Sequence, residues 1–187
     1  MKSKATKSLY PFILLVALSS IFEIVFIYFL KFDSDYWSKI YLFLEFVTLV
    51  FVFNKDSDKS FRFVSYFFCI LFFSSYFYFK IIKTDIPTLK TDGILSIIEF
   101  FYVVFFSIYW FISVFNKRET ASLLQLPFFY FVSGLVIYFS GTIFLFLLSE
   151  ELLKEGLSLN QYWVVNVVLL LFFRVLLLVA IWKGRNT

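Results

Sequence analysis

Histidine is absent from the 187 residues. That removes imidazole acid–base catalysis, histidine-ligated haem and the usual zinc sites. There is one cysteine, Cys69, in an apolar stretch. A single thiol forms neither an internal disulfide nor a CxxC metal or redox motif, and Cys69 reads as a small core filler. Five glycines and three prolines leave no Gly-rich phosphate loop. Charge is also scarce, at 16% of residues, against about a quarter in an average soluble domain. No lysine is expected mid-span, so a retinal-type Schiff base has no candidate. These gaps leave no nucleophile–base pair, and no enzymatic activity, catalytic residue, cofactor or metal site is expected.

Apolar residues are what the chain has in excess: 61% of the total, 31 of them Phe. So short a chain cannot hide that area in one water-soluble core, which points to lipid. Six apolar stretches alternate with short charged connections, at about 9–30, 36–53, 61–82, 94–115, 127–148 and 162–182. Each is long enough to cross about 30 Å of hydrocarbon at about 1.5 Å per residue. Alternating ten-residue segments of the barrel kind are missing, and in lipid only helices satisfy the backbone of such strings. The fold class expected is therefore all-α: a polytopic bundle of six transmembrane helices forming one domain over 1–187. The first stretch follows Lys2, Lys4 and Lys7. It is too long for a signal-peptide core, and Ala17-Leu18-Ser19 is a poor cleavage site, so it is expected to remain as a span.

Basic residues set the orientation. Ten lie at the N-terminus, the second and fourth loops and the C-terminus; six, among them Lys80, fall to the other side. With its three acids the first side carries +7, and the second, with seven, carries −1. Both termini are accordingly expected to be cytoplasmic, in a plasma (inner) membrane. The net +4 follows from this asymmetry; no basic stripe or aromatic platform suggests nucleic acid, and the lipid bilayer is the main partner. Tyr36-Trp37, Trp110, Tyr162-Trp163 and Trp182 occupy interfacial belt positions. The connection from Ser149 to Gln161, with Glu150, Glu151, Lys154 and Glu155, is expected to hold a short interfacial helix.

Four charges fall deep inside the stretches, away from their ends: Glu23, Glu45, Glu99 and Arg174. Intramembrane charges are costly and mark functional sites by default, although they also join helices by simple hydrogen bonds. Counting from the stretch ends puts the three acids roughly 8–14 Å below the outer boundary. Uncharged polar groups fall near that depth: Ser74, Ser75 and Tyr76 in helix 3, Tyr138, Ser140 and Thr142 in helix 5, and Asn166 in helix 6. Residues three or four apart share a face. Glu23 then faces with Ser19 and Ser20, Glu45 with Tyr41 and Thr48, Glu99 with Ser96 and Tyr102, and Asn166 with Leu170 and Arg174. Arg174 is expected deeper and paired with one of the acids. The candidate ligand- or ion-binding set is Glu23, Glu45, Glu99, Arg174, Asn166, Ser75, Tyr102 and Ser140. Gly134, Tyr138 and Gly141 read as a close-packing stripe. Leu44-Glu45-Phe46 with Val50-Phe51 echoes Ile98-Glu99-Phe100 with Val104-Phe105, a hint of a parallel duplication.

Phe22-Glu23-Ile24, Leu44-Glu45-Phe46, the run from Phe128 to Gly134 continuing to Tyr138-Phe139-Ser140-Gly141, and Tyr162-Trp163 with Asn166 carry a resemblance. The chain resembles a broad group of small, mostly uncharacterised bacterial six-span membrane proteins. It is similar in shape to the membrane-embedded sensor parts of bacterial signalling systems. That likeness implies a non-enzymatic ligand-sensing or accessory module with an outward-facing polar pocket. With no kinase or output segment, it would signal through a membrane protein partner or as a homo-oligomer. Two other classes fit the same residues: a small cation- or proton-coupled transporter or oligomeric pore, and an assembly or immunity factor.

Overall fold

The computed structural model describes residues 2–31, 34–55, 58–82, 88–117, 122–154 and 159–185, and in them every regular element is helical. Six long α-helices succeed one another: α1 (Lys2–Phe22), α2 (Ser34–Asn54), α3 (Lys59–Phe77), α4 (Thr88–Lys117), α5 (Pro127–Lys154) and α6 (Leu159–Arg185). Two of them continue as π-helix, α1 over Glu23–Phe29 and α3 over Tyr78–Ile82, and a 3-10 turn at Leu123–Gln125 precedes α5. Five segments are long and apolar enough to cross a membrane: Ser8–Phe26, Lys59–Ile82, Lys90–Asn116, Pro127–Leu147 and Val164–Arg185. This is a membrane protein by the length and composition of its helices. The α2 helix is not among the five; its side chains at 34–36 and 38 lie outside the described residues.

The helices run past the apolar stretches for reasons that are local. At α5 the start is sharp. Leu126 is extended (ψ 120°), as the residue before proline must be, and Pro127 takes the first helical position. Its other end departs from the sequence expectation. No separate interfacial helix forms from Ser149, because α5 continues through Glu150 and Glu151 to Lys154. Nothing in Glu-Glu-Leu-Leu-Lys breaks a helix. Residues 155–158, with Glu155, lie outside the described set. The α4 helix begins at Thr88, six residues before the apolar run. Gly93 reads as a loop residue in the sequence but is helical and close-packed: a Cβ there would sit 3.5 Å from the Phe146 ring. The first helix ends on Lys31, whose φ of 54° is left-handed, after Leu30 N–H donates to the Val25 carbonyl five residues back.

The chain forms two compact units: an N-terminal unit of residues 7–92, and a C-terminal unit of 93–187 together with 1–6. In the N-terminal unit, α2 packs antiparallel to α3. Phe46 stacks on Phe72 with centroids 3.9 Å apart, Phe43 meets Phe73 and Tyr76, and Asn54 donates to Ser65 at 2.9 Å where the two helices meet. Such pairs matter in lipid, where burying apolar surface drives little and packing with hydrogen bonds carries association. In the C-terminal unit, α5 packs antiparallel to α4 and to α6. Trp110 and Phe111 of α4 meet Phe128 and Phe129 of α5. Gly134 and Gly141 let α6 approach, with Phe173, Leu176 and Leu169 filling the space a side chain would occupy.

Candidate functional site

Within the N-terminal unit, the end of α1 and the start of α2 carry a chain of hydrogen bonds. The Trp37 indole N–H donates to Ser19 Oγ at 3.3 Å, and the Ser19 hydroxyl donates to Glu23 Oε1 at 3.0 Å. Ser19 and Glu23 are one α-turn apart, so the second bond is local; the first joins residues eighteen positions apart on different helices. The Trp37 ring lies flat on Phe22, with centroids 4.0 Å apart, and Phe22 in turn stacks on Phe26. Glu23 is the first residue of the π-helical continuation.

One turn along α2, Tyr41 stands 6.3 Å from Trp37 between ring centroids, and its hydroxyl donates to Glu45 Oε1 at 3.3 Å. Glu45 is 5% exposed and packs inward with Phe46 and Leu49. Two of the three expected acids, Glu23 and Glu45, are thus tied by neutral donors to a short aromatic run at one helix pair. The other neighbours expected on these faces turn to the backbone. Ser20 donates to the Val16 carbonyl, and Thr48 to the Leu44 and Glu45 carbonyls. Ser75 is half-buried on α3, while its neighbour Ser74 is exposed and donates to the Leu71 carbonyl.

Glu99, Tyr102, Ser140, Asn166 and Arg174 belong to the C-terminal unit. Glu99 is 1% exposed, and Ser96 and Tyr102 are buried with it on one face of α4. Tyr102 rests against Phe106 at 4.2 Å. Asn166 is half-buried and accepts a hydrogen bond from Thr142 at 3.3 Å, linking α6 to α5. Ser140 and Arg174 are half-buried. Of the three acids, Glu99 is the one in the unit of Arg174. Glu45 and Glu99 each stand eleven positions after the start of their helix (Ser34 and Thr88), about 16 Å along the axis. The two helices also bury the same register: Leu42, Glu45, Leu49 and Val52 correspond to Ser96, Glu99, Val103 and Phe106.

One charged pair joins two helices. Lys80, counted with the outer-side cations and falling near the end of the 61–82 stretch, lies in the π-helical end of α3, and its ammonium is paired with Asp92 in the second turn of α4. It also donates to Thr91 at 3.0 Å, and its side chain is only 4% exposed. Among the described residues no group of three or more Cys, Asp and Glu side chains is arranged to hold a metal ion. Of the belt residues, Trp182 is exposed with Lys183 Nζ 5.6 Å from its ring; the side chains of Tyr36, Tyr162 and Trp163 lie outside the described set.

Trp37–Ser19 is one of the contacts between helices that the sequence does not point to. Trp37 reads as an interfacial anchor, and no spacing rule relates it to Ser19. No protein-family model, curated protein or solved structure matches the chain.

Proposed function

We propose that the protein is a non-enzymatic ligand-sensing module of the plasma membrane, crossing it six times with both termini cytoplasmic. The observation that carries this reading is the Trp37–Ser19–Glu23 hydrogen-bond chain beside Tyr41–Glu45 at the α1–α2 contact. A small polar or cationic molecule suits such a place. An ammonium forms charge-assisted hydrogen bonds to carboxylates, stronger than those from the neutral Ser19 and Tyr41 hydroxyls it would displace. Aromatic faces such as Trp37 and Tyr41 attract the same charge. Displacing Ser19 from Glu23 would release Trp37 and let α1 shift against α2. A membrane partner or a second copy would read that shift. Glu99, with Asn166 and Arg174, would serve the C-terminal unit as a paired charge.

The test is a thermal-shift screen in detergent with alkylammonium ions, amino acids and polyamines. A compound that raises the unfolding temperature of the wild type should lose its effect in Glu23→Gln and Glu45→Gln. A stable, folded wild type that responds to none of them would overturn the sensing reading. Ion or solute flux in liposomes, reduced by the same substitutions, would replace it with transport.

A further inference from the structure

We propose that the C-terminal end of α3 is a polar lock, in which Tyr76 holds it to α2 and Lys80 holds it to the first two turns of α4. Tyr76 and Lys80 are four residues apart and so share a helix face. The Tyr76 hydroxyl donates to the Lys39 backbone carbonyl on α2 at 3.1 Å. The Lys80 ammonium pairs with Asp92 and donates to Thr91 at 3.0 Å. One face of α3 therefore makes a polar bond to each of two helices. An unpartnered lysine at a helix end would extend its stem and keep its charge in water. Lys80 instead turns inward until its side chain is 4% exposed, with Asp92 at 19%. Removing one member of such a pair strands a buried charge, whereas replacing both with apolar side chains does not. The lock also gives a reason for α4 to begin ahead of its apolar run: Thr91 and Asp92 must be helical to present both groups to Lys80. The helix passes from α to π at Tyr78, between the two locking residues. The lock stands whether or not the α1–α2 contact binds a ligand.

A double-mutant cycle on the full chain in detergent tests it. Lys80→Met and Asp92→Leu should each lower the unfolding midpoint by roughly 10 °C, or prevent folding. The double variant should recover more than half of that loss. Amide exchange should rise at 78–82 and 88–92 in the single variants and return toward wild type in the double. Tyr76→Phe should raise exchange at the start of α2 while leaving 88–92 protected. Single variants that unfold like the wild type, or losses that merely add in the double variant, would overturn the lock.

Discussion

Trp37 does two separable things, and a pair of substitutions divides them. Its ring stacks on Phe22, and its N–H reaches Ser19. Trp37→Phe keeps a ring for the stack and removes the donor, so it should cost about 1 kcal/mol, or about 2–4 °C in the unfolding midpoint. Trp37→Ala removes both and should cost about 3 kcal/mol or more. Equal losses in the two variants, measured by thermal unfolding in detergent, would show that the stack contributes nothing, and a Trp37→Phe variant that unfolds like the wild type would show that the hydrogen bond contributes nothing. The Ser19–Glu23 and Tyr41–Glu45 bonds were legible from the sequence because both are i,i+4 pairs, which helix geometry alone brings together. Trp37–Ser19 and Lys80–Asp92 were not. Each joins residues on different helices, and no periodicity encodes the approach of one helix to another.

At the scale of elements, α5 and α6 are the pair whose packing depends most on the absence of side chains. A Cβ on Gly134 would stand 2.9 Å from the Phe173 ring and 3.3 Å from Leu176 Cβ. The first could be relieved only by turning a ring that is itself stacked on Tyr138; the second is fixed to the backbone. Gly134→Leu should therefore force the helices apart and cost about 1–3 kcal/mol, seen as a lower midpoint. At Gly141 the nearest atoms are the methyl ends of Leu169, at 2.5 and 2.8 Å. A rotation of that side chain relieves the contact, so Gly141→Ala should cost less than Gly134→Leu. The glycine stripe was readable in the sequence as spacing, since 134, 138 and 141 share a face. Helix ends were less readable. Apolar runs mark where lipid begins, but a helix continues until its backbone meets a reason to stop, and α4 and α5 both extend into polar sequence. The π-helical continuations left no trace in hydropathy, because they change register without changing composition.

For the whole molecule, orientation is a property of loop charge, and it gives a prediction that needs no ligand. Alkaline phosphatase fused after Arg185 should be inactive, and fused in the connection after Lys154 active. The reverse pattern would invert the proposed topology. The pairing of Lys80 with Asp92 leaves this balance unchanged, since both were counted on the same side and cancel.

Composition and run length by themselves made this a helical membrane protein: no arrangement of 31 Phe among 187 residues would bury them in water. Spacing by itself placed Glu45 and Glu99 on inward faces, because turns of a helix repeat every 3.6 residues whatever packs against them. Which groups meet between helices was decided by tertiary structure. Helix pairing chose Ser19 for Trp37, Thr142 for Asn166 and Asp92 for Lys80, because a polar group in lipid that its own helix does not satisfy must find a partner on a neighbouring helix, and the sequence along one helix does not name it.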